Sequence, residues 1–179
     1  MLALGGCGGN GGFKFAKYVN KSPAFMMSFE YIDGWKYLAY KEMNKDYPTV
    51  TFFDRWASWP RYISIDAIDV SKAGAIPSTI QTVTENILKS WMEFSEAKVL
   101  KGSSIRLLST RATDTYLSMK MPENMESLRS KMVPVKARIV AVRSGGKYYV
   151  LKLVTRQEEF DRYNKAFNRT LRTFRLLRQ

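Results

Sequence analysis

A chain of 179 residues, 45% apolar and 13% aromatic, is long enough to bury a core without disulfides or zinc, and no apolar run in it approaches the ~18 residues of a membrane span. Lysine and arginine number 29 against 16 acidic residues, and the formal charge of +13 favours polyanionic partners such as nucleic acid, anionic lipid or cell-wall polymer. With no histidine and one cysteine, Ser-His-Asp and Cys-His nucleophiles, internal disulfides and ordinary Cys/His zinc sites are excluded.

The chain opens on Met-Leu-Ala-Leu-Gly-Gly-Cys, ending at Cys7. Leu4-Gly5-Gly6-Cys7 resembles a lipobox, the end of a bacterial lipoprotein signal. In that motif small side chains flank the cleaved bond, and the cysteine thiol receives diacylglycerol. Such a signal needs a basic n-region and an apolar segment of ~7–15 residues. Only Met1-Leu2-Ala3 precede the box, so a natural start upstream of Met1 is expected. Residues 1–7 thus read as the remnant of a signal with Cys7 as its lipidation site. Residues 8–24, Gly-rich and closed by Pro23, read as a flexible tether and linker, with the domain over 25–179.

Residues 25–32 read as a strand, closed by the turn dipeptide Asp33-Gly34, with 36–40 as its hairpin partner. Further β-rich stretches cover 49–53 and 62–70. The period then changes. Ser78 and Gln81 have capping-box spacing, and Ile80, Val83, Ile87, Leu88 and Trp91 recur at helical intervals, which predicts an amphipathic helix over 78–95. Strands are predicted at 98–100, 105–110 and 115–120, followed by a polar loop over 122–134. Residues 135–143 and 147–154 flank Ser144-Gly145-Gly146, where Gly-Gly supplies the positive φ angles of a tight hairpin. From about Arg156 a last helix is predicted, with Phe160, Tyr163, Phe167, Leu171, Phe174 and Leu177 as its apolar stripe. Arginines and lysines fill its other positions. Strands with two separated helices make the fold class α+β.

Few groups invite chemistry. Ser95-Glu-Ala-Lys98 has the S-x-x-K spacing of penicillin-interacting enzymes, but here the serine closes a helix and no Lys-Thr-Gly follows. Met119, Met121 and Met125 have thioethers at a spacing that could suit Cu(I). Met119 and Met121 on one strand face describe core packing equally well, and no metal is assigned. Asp54, Asp66, Asp69, Asp114 and Asp161 show no paired spacing for acid–base work or a calcium loop. No catalytic residue and no cofactor is expected.

Two stretches resemble PsbP-like domains. "FMMSFEYIDGWKY" (25–37) is similar to their opening Phe-Ser-Phe-x-Tyr-Pro-x-Gly-Trp, with Ile32 in place of the usual proline. "GGKYYVLKLVTRQEEFDRYNKAFNRTLRTFRLL" (145–177) is similar to their closing hairpin and terminal helix, with Thr173 in place of serine. The resemblance implies an α-β-α sandwich on a central, mainly antiparallel sheet. It also implies an exported protein, often a lipoprotein in bacteria, without known enzymatic activity. Gly34 then makes the turn and Trp35 packs on the sheet, as a marker of fold. Some relatives bind divalent metals through histidine and acidic side chains, which does not carry over to a chain without histidine. Better-known members assist the oxygen-evolving photosystem, and nothing in these residues points there.

The expectation is therefore a non-enzymatic module at the cell envelope. Lipidated Cys7 would hold it at the outer face of the cytoplasmic membrane. Arg162, Lys165, Arg169, Arg172, Arg175 and Arg178 are the candidates for contact with an anionic lipid or cell-wall polymer. The alternative is a basic nucleic-acid-binding protein of the cytosol, although no nucleic-acid-binding motif is present.

Overall fold

Alternating and near-continuous β-branched runs make long strands, and these build a seven-stranded sheet through the middle of the molecule. The computed structural model describes residues 12–40, 48–54, 60–70, 80–94, 96–123 and 129–177. Its elements are β1 Phe15–Asn20, β2 Met27–Ile32, β3 Lys36–Tyr40, β4 Thr49–Phe53, β5 Tyr62–Asp69, α1 Ile80–Phe94, β6 Lys98–Leu107, β7 Thr110–Pro122, β8 Met132–Ser144, β9 Lys147–Arg156, α2 Phe160–Thr173 and β10 Arg175–Leu176. The large sheet has the order β3-β4-β5-β9-β8-β7-β6, and every neighbouring pair in it is antiparallel. A second sheet, β1-β2-β10, stands beside it.

The large sheet is covered on both faces. From β5 the chain returns at the far edge as β6, and α1 between them packs across β7 and β8. Ile80, Ile87, Leu88 and Trp91 of α1 rest on a core of Leu117, Val135, Ile139, Tyr148 and Val150. On the opposite face lie α2 and the small sheet, over Val140, Val142, Leu151, Ile65 and Phe52. The α-β-α layering and the mainly antiparallel centre are thus as the resemblance to PsbP-like domains implies. The stripe on α2 is buried as expected at Phe160, Tyr163, Phe167, Leu171 and Phe174, each side chain contributing about 1.5–3 kcal/mol by leaving water.

Four expectations are corrected. Asp33-Gly34 does turn the chain, with Gly34 at φ +82° and its N–H donating to Asp33 Oδ1 at 2.9 Å. However, β2 and β3 do not pair. Both edges of β2 are taken, one by β1 and one by β10, so the turn carries the chain from one sheet to the other and β3 pairs with β4. Residues 8–24 are not tether throughout, because β1 extends the domain back to Phe15 and buries Tyr18 against Phe29 and Phe52. One strand was expected through 105–110; instead the β6–β7 hairpin turns there, on Leu108 and Ser109 at φ +51° and +61°. The expected turn residue, glycine, is missing, so no signal marks it.

The last correction concerns the C-terminus. α2 stops at Thr173, Phe174 is extended, and Arg175–Leu176 pair with Ser28 and Met27 of β2. Phe174 still reaches the core, so helical spacing in the sequence conceals the change of conformation. Two threonines fix α2 on β2. Thr170 Oγ1 donates to the Glu30 carbonyl at 2.8 Å, and the Glu30 N–H donates to Thr173 Oγ1 at 2.9 Å. Trp35 is buried in the α2-side core, its ring tilted 38° to that of Tyr163 with centroids 5.7 Å apart.

Candidate functional site

Arg162, Lys165, Arg169 and Arg172 recur at intervals of three, four and three, which places them in one stripe along the solvent side of α2. The acid in the first turn of this helix is Asp161. The stripe divides into two halves. Arg162 lies over the ring of Phe13 at 4.7 Å, and Arg169 over that of Phe15 at 4.9 Å while pairing with Glu30. Cation–π contacts of this kind hold the segment leading into β1 against the helix, each worth about 0.5–1 kcal/mol at an exposed site. Lys165 and Arg172 are exposed, and among the described residues neither holds an ion pair.

Of the other basic candidates, Arg175 stands on β10, where its guanidinium donates to the Arg172 and Phe174 carbonyls at 2.8 Å each. It satisfies carbonyls that the end of α2 would leave unpaired. Arg178 lies outside the described residues, as do Cys7, Met125, Ser78 and Ser95. Met119 is buried with the α1-side core, and Met121 packs against it.

Under the other flank of α2 lies an ion pair that sequence reasoning passes over. Arg138 of β8 and Asp114 of β7 are both buried, and they meet through two parallel bonds, Nε to Oδ1 and Nη2 to Oδ2, at 2.8 Å each. Nη1 donates to Asn164 Oδ1 at 2.9 Å and to Asn168 Oδ1 at 2.6 Å, both from α2. The guanidinium also sits 5.0 Å from the Tyr116 ring and 5.7 Å from that of Phe167. Four of its five N–H donors are thereby engaged. A signal did exist: Arg138 interrupts the apolar run Ala137-Arg-Ile-Val-Ala-Val142 at an inward position. A charge there needs a buried partner.

Above this pair a cleft of about 460 Å³ opens between α2 and the edge strand β6. Buried Arg138 lies at its base, and the exposed residues Lys165, Asn168 and Arg172 stand along the helix side. Ile105, Leu107 and Leu171 supply apolar wall, and Arg106 borders it from β6. Asn168 has already given its oxygen to Arg138, so what it can still offer is its pair of amide N–H groups. Among the described residues no acidic side chain lines the cleft. The polar side chains on its floor and helix side are therefore donors, and the group they match is an oxyanion.

A second polar cluster lies on the α1 face. Lys152 Nζ meets Asp66 at 2.7 Å, Thr49 Oγ1 donates to the same carboxylate at 3.0 Å, and buried Ser64 Oγ has no hydrogen-bond partner among the described residues. Lys152 and Asp66 are thus committed to each other. Among the described residues no helix is long and apolar enough to cross a membrane, and no three His, Cys, Asp or Glu side chains are grouped to hold a metal.

Neither a scan of protein-family models nor a search of curated proteins finds a match. Solved structures do match. One is the cyanobacterial PsbP (CyanoP) of Synechocystis sp. PCC 6803, at 16% identity over 97% of this chain and 98% of that one, with a TM-score of 0.61. Another is the Ran-binding protein Mog1p of Saccharomyces cerevisiae, at 9% identity over 92% and 96%, with a TM-score of 0.57. At such identities the likeness is one of architecture. The antiparallel sheet, its two covered faces and the C-terminal helix give this chain a PsbP-like fold.

Proposed function

We propose that this protein is a non-enzymatic interaction or assembly module, exported to the cell envelope and tethered by lipid on Cys7 to the outer face of the cytoplasmic membrane. In this reading its α2 side faces an anionic surface. The observation that carries the reading is the join between the N-terminal segment and the basic stripe, made by Arg162 over Phe13 and Arg169 over Phe15. From Cys7 to Phe13 is six residues, at most about 21 Å of extended chain. An anchor on Cys7 would hold the stripe within that reach of the headgroups.

The lipid would supply the attachment, at about 0.8 kcal/mol per buried CH₂. Lys165 and Arg172, at about 1 kcal/mol each near an anionic leaflet, would turn the domain instead of holding it there. Mog1p, described as Ran-binding, is a precedent for this architecture serving as a binding module. The mass of the natively expressed protein tests the anchor. Diacylglycerol on Cys7 is expected, and an unmodified Cys7 behind an intact Met1 refutes it. Orientation is tested with Cys7→Ser protein on phosphatidylglycerol and phosphatidylcholine vesicles. Binding to the anionic vesicles should weaken with salt and fall about fivefold for each of Lys165→Gln and Arg172→Gln. Equal binding to both vesicles, with a gel shift on nucleic acid at physiological salt, would instead support the cytosolic alternative.

A further inference from the structure

We infer that the cleft between α2 and β6 is a binding site for a single phosphate group carried on a small amphiphile, with Lys165, Arg172 and the Asn168 amide as its donors. Three observations converge on it. Lys165 and Arg172 hold no ion pair among the described residues, so their charge is not consumed within the fold. Asn168 is fixed by its oxygen at 2.6 Å from Arg138, which presets the amide N–H pair without further ordering. Arg138 itself is held by Asp114, Asn164 and Asn168, so the floor is rigid before any ligand arrives.

The size and the walls narrow the ligand. A volume of about 460 Å³ is that of a small-molecule pocket, too small for a folded partner. Ile105, Leu107 and Leu171 line it beside the donors, so the phosphate should carry an apolar portion. Donors in excess of acceptors favour phosphate over a neutral sugar or amide, because an uncharged ligand would leave Lys165 and Arg172 partly desolvated and unpaired. A lipid headgroup and a free phosphate ester share this chemistry.

The inference refines the anion-facing reading of α2 but does not need the lipid anchor, and its test keeps the two apart. Full-length Cys7→Ser protein, prepared free of phosphate, is titrated by calorimetry with inorganic phosphate, with dihexanoyl phosphatidic acid and with dihexanoyl phosphatidylcholine below its micelle concentration. Saturable one-site binding is expected for the first two. Asn168→Asp and Lys165→Glu should each weaken it by about tenfold or more, as loss of a charge-assisted contact does. Lys89→Glu, an exposed change on α1 at the opposite face of the sheet, should leave it unchanged. Phosphatidic acid bound more tightly than inorganic phosphate supports the apolar portion of the ligand; equal affinities refute that portion and with it the amphiphile. Absence of saturable binding, an equal loss with Lys89→Glu, or equal affinity for the zwitterionic lipid overturns the site. Vesicle binding retained alongside any of those results would refute the cleft and leave the proposed membrane orientation standing.

Discussion

Asp114→Asn removes the charge that Arg138 was folded around while leaving side-chain volume almost unchanged. Both partners are nearly closed to solvent, with side-chain exposures of 7% for Arg138 and 4% for Asp114. Two unit charges about 4 Å apart attract by about 4 kcal/mol at an effective dielectric of about 20. Breaking a buried pair from one side typically costs about 3–5 kcal/mol, because the remaining charge stays buried. For a chain of this size that is a fall in Tm of about 6–20 °C. Urea unfolding followed by tryptophan fluorescence should show the midpoint moving with little change in slope. The double variant Arg138→Met, Asp114→Leu should recover most of the loss, since the cost lies in the orphaned charge and not in the missing attraction. Asn164 and Asn168 are not fully buried, so water can take over their freed oxygens. A loss below about 1 kcal/mol for Asp114→Asn, the level of an exposed pair, would refute the idea that this pair is dehydrated. Glu96→Gln supplies that level directly, because Lys120 and Glu96 are 54% and 73% exposed.

Burial raises the hydroxyl pKa of Tyr62, with Asp66 adding to the shift, and burial likewise raises Tyr18, Tyr149 and Tyr163. Below about pH 10 these tyrosines are protonated in both folded and unfolded chains and stability should not respond; above it only the unfolded chain loses the proton. Each such tyrosine should then cost up to about 1.4 kcal/mol per pH unit, and Tyr62→Phe should flatten the decline in urea midpoint between pH 10 and 11, with identical slopes counting against it. Arg169→Ala removes an exposed ion pair with Glu30 and the contact with Phe15; a global loss of under about 1.5 kcal/mol is expected, with faster amide exchange confined to β1. Gly146→Ala, at φ +75° in the β8–β9 turn, should cost about 1–2 kcal/mol through backbone strain alone, since a Cβ there would meet nothing within 4 Å.

Patterns that repeat were legible in the sequence; features made by a single residue in an unusual setting were not. The glycine pair at 145–146 announced the central hairpin, and the three-to-four spacing from Phe160 to Leu171 announced α2. Leu108 and Ser109 turn the chain with positive φ although their side chains resist it, so nothing marked that turn. The pairing of β2 with β10 joins residues about 150 positions apart, and local pattern carries no such information. The basic residues of α2 were found as a set, but their division was not. Only the fold shows that Arg169 is spent on Glu30 and Phe15 while Lys165 and Arg172 overlook a cleft. Arg138 was visible as a charge inside an apolar strand and could have been flagged on that ground alone.

β2 is stitched to both ends of the domain, to Phe15–Asn20 on one edge and to Arg175–Leu176 on the other. Its second edge stays open until Arg175–Leu176 arrive, and the Leu177 N–H then closes onto the Met26 carbonyl at 2.7 Å. The domain is therefore a loop that locks at its own ends. Contacts of such long sequence separation are among the slowest to form, so this domain cannot be completed before residues 174–177 are available to it. A chain shortened by as few as six residues would lose Phe174 and the lock together.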